Sequence, residues 1–540
     1  MNGVNCDGLV NRWVGQSTAV AQIANLLYRR LGVGRWRNGP CCVAFSQAGR
    51  LPTCDTADCQ SALPIHHQFG VGHPAVHPLT PRHTLALTAL TIVSFHLAYG
   101  LRLGGFLMLG YLFGLFSLSK LRTSRQAFYL GFGIGLAVYA PHLAFFWTIF
   151  GAPAIVLWSV LAFWLGLFLL LSRAVRCHWG AMGAAVLIPC LWMGLEYFRC
   201  ELYYLRFTWL NVGYAFSDSP LLSLLMRPGV YGLGFSLMLF IGLASLLSFK
   251  AKIVSGVVFL GTFGLAVNLP IHLTRAPATR SVSVPVAGMQ MEFPAALEVP
   301  QKLDELLKQQ PSAELLVLSE YTFDGPIPRR VRDWCRRHQR YLVAGGKDPA
   351  EGAQFFNTAY IIGPQGETVF QQAKRTPIQF FKDGLPAPTQ TLWTSPWGKI
   401  GLCVCYDLSY RRVTDALVRQ GAEALIVPTM DIAEWGRYQH QLHGRVAKVR
   451  AAEFGLPVFR VCSSGVSQLT DRQGQVIASA PFPGEYAMLA GSLELAGPGR
   501  LPWDHWGAPL AVGVTIAISA YLATNEMLQL LRRRTAEKTV

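Results

Sequence analysis

Charged residues are scarce in this 540-residue chain. Asp, Glu, Lys and Arg make up 14% of it, where a soluble domain carries roughly 25%. With hydrophobic residues at 51%, the composition excludes a protein that is wholly soluble and ordinary. Acidic residues are the scarcer kind, 30 against 47 basic, which leaves a formal net charge of +17. Nucleic-acid binding would call for a basic stripe interleaved with aromatics. No such stripe occurs in the polar part of the chain, so no nucleic-acid partner is expected. A membrane protein uses the excess differently, because Lys and Arg collect in cytoplasmic loops and face anionic lipid. Metal-ligand spacing is missing too. Cys41 and Cys42 are adjacent and Cys54 and Cys59 are close, but no His or second Cys pair completes a zinc pattern. No metal and no cofactor is expected. Residues 1–80 hold no apolar signal-peptide core and no sustained helical or strand period. They are expected to form an unstructured or poorly defined extension.

Long apolar runs fill the next part. They fall at 83–100, 103–119, 127–149, 152–172, 178–198, 229–248 and 253–271, with one more at 506–524. Each is near the roughly 20 residues that a bilayer core requires. The expectation is a membrane domain of eight transmembrane helices, seven within 83–271 and the last at 506–524. Basic residues sit on alternate connections: Lys120, Arg122 and Arg125; Arg173 and Arg176; Lys250 and Lys252; Arg532, Arg533 and Arg534. All four clusters then share one side, and the positive-inside rule makes that side the cytoplasm. Both termini, including the basic tail 525–540, are expected there. The segment between the last two spans, and the loop at 199–228, are expected outside.

Residues 280–495 read as a layered α/β domain. Strand-length apolar runs occur at Val282–Met291, Leu315–Leu318, Tyr341–Ala344, Thr358–Ile362, Ile400–Val404, Ala424–Pro428 and Val458–Cys462. Helical patterns alternate with them at Ala296–Gln309, Pro328–His338, Arg412–Arg419 and Tyr438–Phe454. Gly363–Gly366 and Asp471–Gly474 read as hairpin turns.

Three residues stand at strand ends. Glu320 follows Leu315–Leu318, Lys374 follows Thr368–Phe370, and Cys405 ends Ile400–Val404. A carboxylate, an ammonium and a thiol at one sheet edge suit acyl transfer. A base removes the thiol proton, and a cation stabilises thiolate and oxyanion. Taken singly each is a weak signal, since a Glu after a strand is usually a surface residue and a strand Cys a small hydrophobe. Cys403 shares a face with Cys405 on a regular strand, so the local twist decides which thiol is presented.

The segments Leu318-Ser319-Glu320, Ala373-Lys374-Arg375 and Val404-Cys405-Tyr406-Asp407 resemble the three catalytic motifs of the nitrilase superfamily. Val427–Asp431 with Trp435, Arg450–Gly455, and Ser464-Gly465 with Asp471–Gly474 resemble its later segments. The resemblance implies a four-layer αββα sandwich with Glu320 as general base and acid, Lys374 as oxyanion stabiliser and Cys405 as nucleophile. Tyr406, Asp407, Asp383, Trp209 and Trp435 would support them. Gly194–Arg199, Phe207–Tyr214 and Tyr231-Gly232 are similar to the membrane-bound branch, the apolipoprotein N-acyltransferases. That branch implies a bacterial inner-membrane enzyme with a phospholipid acyl donor and a diacylglyceryl-modified lipoprotein acceptor. Readings that change the substrate are a membrane-anchored amidase or an acyltransferase for another amine. A catalytically inactive scaffold is a third reading. Two departures stand out. Asp407 replaces a family glutamate, and Lys382 stands where the family places a second glutamate, with Asp383 the nearest carboxylate. Trp209 and Tyr214 are expected at the membrane–water interface.

Overall fold

The computed structural model describes residues 78–248 apart from 103, the single residues 250, 251, 256 and 258, and residues 281–538. The expected extension at 1–80 and the seventh apolar run at 253–271 lie almost wholly outside the described residues.

Helices α1 (Pro81–Gly100), α2 (Met108–Leu118), α3 (Ser124–His142), α4 (Phe145–Phe150), α5 (Pro153–Tyr197) and α6 (Gly229–Ser245) form the first part. Small residues let them approach closely. A Cβ added at Gly135 of α3 would come within 2.6 Å of the Ala162 Cα on α5. The boundaries differ from the expected runs in two places. Residues 127–149 divide into α3 and α4, because the chain turns after His142. Residues 152–172 and 178–198 both fall on α5, which is two helical stretches meeting at a break, Gly180 at φ 65° and ψ −158°. The first stretch runs on past 172 to that break. Arg173 and Arg176 therefore sit inside a helix rather than in a loop. They bind the chain just after α2: Arg173 donates to the carbonyls of Leu121 (2.9 Å) and Arg122 (2.7 Å), and Arg176 to Ser119 Oγ (2.6 Å).

Among the described residues, two helices are long and apolar enough to cross a membrane, Pro153–Leu202 and Asp504–Arg532, and the bent pair Pro220–Met226 with Gly229–Ser245 would make a third. Met108–Leu118, with 11 residues, is too short to span alone.

The α/β domain, within residues 281–495, holds two six-stranded sheets. The first is built from β1 (Val282–Met289), β2 (Leu315–Val317), β3 (Tyr341–Pro349), β4 (Phe355–Ile362), β5 (Thr368–Ala373) and β12 (Met488–Leu495), in the order β12-β1-β2-β3-β4-β5. The second is built from β6 (Leu392–Thr394), β7 (Lys399–Leu402), β8 (Ala424–Thr429), β9 (Val458–Cys462), β10 (Ser467–Thr470) and β11 (Val476–Ala480), in the order β11-β10-β9-β8-β7-β6. In each, three central strands run parallel and the flanking ones antiparallel.

Side-chain alternation explains the layers. Leu316 and Leu318 face one way, packing with Trp334 and Cys335 of α8 (Arg329–His338) and Leu303 and Leu306 of α7 (Val299–Gln309). Leu315 and Val317 face the other way, into a core shared with Ile400, Leu402 and Leu425 of the second sheet. Both faces are covered, so these strands read as continuous apolar runs. Helices α9 (Arg411–Arg419) and α10 (Arg437–Phe454) belong to the second sheet, completing the expected αββα order.

A buried polar network joins the α/β domain to the apolar helices. Asp504, at the start of α11 (Asp504–Lys538), accepts from the backbone of Tyr231 (3.0 Å) and Gly232 (3.1 Å) and pairs with Arg411 (2.9 Å). Glu453 accepts from Val230 N–H (3.0 Å) and pairs with Arg450. Charges buried this way cost several kcal/mol each unless paired, and the pairing holds the two parts in register.

Candidate active site

Glu320, Lys374 and Cys405 leave the ends of β2, β5 and β7, and the two sheets bring those ends together. Glu320 lies three residues past β2. Its Oε1 accepts from Lys374 Nζ at 2.9 Å and from Asn357 Nδ2 at 2.5 Å, and its Oε2 from Met430 N–H at 2.7 Å. The backbone behind it is packed tightly. A Cβ at Gly345 would sit 2.6 Å from the Glu320 Cα, so only glycine lets β3 pass there.

Two carboxylates share Lys374. Its Nζ lies 2.7 Å from Asp383 Oδ2 as well. Asp383 in turn accepts from Asn357 Nδ2 (2.9 Å), Tyr321 Oη (2.9 Å) and Ile378 N–H (2.8 Å). Lys382 is exposed. The one-residue shift in the 376–384 turn thus buries the aspartate and turns the lysine away. Lys382→Glu is expected to leave activity within about twofold, whereas Asp383→Asn should lower it by about ten- to a hundredfold, since it removes a charge that holds the ammonium. Turnover of purified variants checks both. An effect from Lys382→Glu as large as that from Asp383→Asn would contradict this geometry.

Burial works against Lys374, but Asp383 and Glu320 outweigh it and hold the ammonium well above the usual lysine range. Burial raises Glu320, and Lys374 offsets this only in part because Asp383 competes for the same cation. Burial also pushes the Cys405 thiol well above its ordinary value, with Glu320 adding to the rise and Lys374 opposing it. Burial thus favours the thiol form of Cys405, with the Lys374 ammonium beside it.

Cys405 has φ +51°. A non-glycine residue in this region is strained, and such strain concentrates at functional sites. β7 stops at Leu402 and the chain enters a short 3₁₀ turn, Cys405–Ser409. Regular alternation ends there. Cys403 stays wholly buried and does not line the cavity into which Cys405 opens. Asp407 keeps the turn in place. It accepts from the backbone N–H groups of Arg375 (3.0 Å), Thr376 (2.6 Å) and Val404 (3.3 Å), linking the Lys374 segment to the Cys405 segment. Burial pushes its carboxyl up to about 6 against those donors.

The cavity encloses about 830 Å³, part of it open to solvent. Phe145, Phe146, Phe150 and Leu161 of α4 and α5 line one side, and Cys405, Tyr406 and Trp435 the other. Trp209 lines it too, stacked on His443 at 4.6 Å and donating to Ser409 Oγ at 3.0 Å. These contacts bury Trp209, and Tyr214 is buried as well. All eight expected site residues thus fall in or beside one region.

Several partners escape sequence reasoning. Asn357 bridges Glu320 and Asp383, and its only signal is a polar residue inside an apolar strand. Met430 supplies its N–H to Glu320 and its carbonyl faces Cys405 Sγ at 3.7 Å. Asp431 binds His443 at 2.7 Å and Arg460 at 2.6 Å. Burial lowers His443 to about 4, so its ring is neutral at pH 7.

Residues 299–494 match the carbon-nitrogen hydrolase family, and residues 86–243 match the apolipoprotein N-acyltransferase N-terminal domain. In both stretches the chain is similar to the apolipoprotein N-acyltransferases. The apolipoprotein N-acyltransferase of Geobacter metallireducens is 27% identical over 457 residues, covering 72% of this chain and 84% of the relative. That of Vibrio parahaemolyticus is 21% identical over 452 residues, covering 74% and 88%. Among solved structures, Saccharomyces cerevisiae Nit3, a member of branch 10 of the nitrilase superfamily, aligns with 39% of this chain and 90% of its own, at 19% identity and TM-score 0.34.

Proposed function

We propose that the chain moves a fatty acyl group from a phospholipid, through a thioester on Cys405, to the α-amino group of the diacylglyceryl-cysteine of a lipoprotein. What supports this most directly is the cavity, in which a thiol from the outer domain faces phenylalanines from the apolar helices. A nitrile or small amide would not need such a wall, whereas an acyl chain would.

In the first half-reaction Glu320 takes the Cys405 proton as sulfur attacks the ester carbonyl. Lys374 faces the oxyanion, and Glu320 returns the proton to the departing lysophospholipid oxygen. In the second, the acceptor nitrogen attacks the thioester carbonyl, Glu320 takes its proton, and the Cys405 sulfur leaves and recovers it. Asp383 and Asn357 orient Lys374 and Glu320, and Asp407 holds the nucleophile turn. Both substrates are anchored in a bilayer, so a site beside the apolar helices gains proximity.

The membrane arrangement belongs to the same proposal. It has eight spans in the bacterial inner membrane, residues 280–495 as the catalytic domain on the outer side, and both termini in the cytoplasm. Loop charge supports it.

Growth of a bacterium depleted of its own N-acyltransferase is the direct test, and failure to restore triacylated lipoprotein would sink the reading. Chain-length preference tests the cavity. Phe146→Trp narrows the wall and is expected to favour shorter acyl chains by roughly tenfold in kcat/KM, the scale of a methylene or two in an apolar pocket. An unchanged preference would mean that the chain lies elsewhere.

A further inference from the structure

Arg206 and Arg412 have no part in the chemistry above. Arg206 comes from the segment between α5 and α6, and Arg412 is the second residue of α9. Their guanidinium carbons lie 5.0 and 5.6 Å from the centroid of the Tyr410 ring. Tyr410 packs edge-on against Tyr406 at 4.9 Å, and Tyr406 follows Cys405 directly. Arg206 also lines the cavity into which Cys405 opens.

These two cations lack a counter-ion. The neighbouring Arg411 pairs with Asp415 and Asp504, and Arg450 with Glu453. Among the described residues no carboxylate comes within ion-pair distance of Arg206 or Arg412. Glu201 and Asp407 act on Arg412 only from farther away. Arg412 gives one N–H to Thr376 Oγ1 at 3.1 Å, and Arg206 Nε is buried with no hydrogen-bond partner. Burial, with the charge of Arg206 adding, holds Arg412 below the usual arginine value. Two like charges kept together, with an unused buried donor, suit an anion that both can grip. Guanidinium forks match phosphate oxygens and stay charged at any working pH.

We propose that Arg206 and Arg412 bind the phosphodiester of the acyl-donor lipid over Tyr410, which sets its ester carbonyl beside Cys405. This rests on the acyl-transfer reading, and it adds a headgroup site that selects a charged donor over a neutral glyceride. The same chemistry would also suit free phosphate.

Binding separates these cases without turnover. Full-length protein in detergent, carrying Cys405→Ala, is titrated with dihexanoyl phosphatidylglycerol and with dihexanoylglycerol, which lacks the phosphate. Arg206→Gln with Arg412→Gln is expected to weaken the phospholipid by about tenfold or more and leave the neutral lipid within about twofold. Arg206→Lys with Arg412→Lys should retain part of the affinity, since charge survives while the fork is lost. Equal affinity of the parent protein for both lipids would overturn the proposal, as would equal weakening of both by the Gln pair. Inorganic phosphate that displaces the phospholipid at equal concentration would assign the site to a free anion and overturn it as well. Thioester formation is read separately on protein with Cys405 intact. Its absence with either lipid would refute acyl transfer while leaving the binding result to stand.

Discussion

Cys405→Ala is expected to abolish acyl transfer, with a loss of at least about 10⁴-fold, the scale seen when a covalent nucleophile is removed. Among the described residues no other thiol lines the cavity. Cys403, two residues away, is wholly buried. Cys403→Ala should therefore keep activity and cost only about 1 kcal/mol of stability, the price of a small core truncation. Intact mass of each protein after exposure to phospholipid gives the readout. Wild type and Cys403→Ala should carry one acyl adduct, and Cys405→Ala none. An adduct on Cys405→Ala, or its loss from Cys403→Ala, would reverse the assignment. The contrast depends on backbone geometry. Both residues are cysteines near the end of one strand, and only the turn at Cys405, with φ +51°, sends one thiol out of the core.

That turn marks where the sequence stops being informative. Most of the α/β domain is legible, because its strands are apolar runs closed by turns with a physical reason. Gly366, at φ +77°, closes the β4–β5 hairpin, and Gly474, at φ +79°, closes β10–β11. The ends of β2, β5 and β7 carry Glu320, Lys374 and Cys405 as residues at those positions would suggest. Periodicity cannot register a left-handed residue, so it left Cys403 and Cys405 equivalent. Nor can it register the fold of the 376–384 turn, where spacing counted from Lys374 picks Lys382 and three-dimensional packing picks Asp383. Asn357 lies on β4, far from the motif residues in sequence, and only strand pairing brings it to Glu320. The apolar helices show the opposite limit. Hydropathy finds their residues but not their breaks, since α5 continues through Arg173 and Arg176 to Gly180. The basic residues that suggested a loop bind the chain just after α2, Arg173 through carbonyls and Arg176 through Ser119 Oγ.

Glu320→Gln is expected to lower the rate of thioester formation by about 10²- to 10⁴-fold, the usual worth of a positioned general base. The substitution keeps the shape. Glu320 accepts three hydrogen bonds, from Lys374, Asn357 and Met430. An amide can serve only one side with its oxygen, and its NH₂ then faces a donor. That mismatch costs about 1–3 kcal/mol and leaves Lys374 to Asp383 alone. The cavity wall is untouched, so KM for phospholipid should stay put while kcat falls. The pH profile separates a base from a merely structural carboxylate. Burial raises Glu320, so the protonated form is favoured and the base is lost early as pH falls. The acid limb of the wild-type rate should lie above the ordinary glutamate value of about 4.3. Above that limb the rate should stay flat through neutral pH, because Lys374 is held charged well above the usual lysine range. In Glu320→Gln the limb should disappear and leave a slow, nearly pH-independent rate. A variant that kept the limb, or lost KM and kcat together, would place the proton acceptor on another residue.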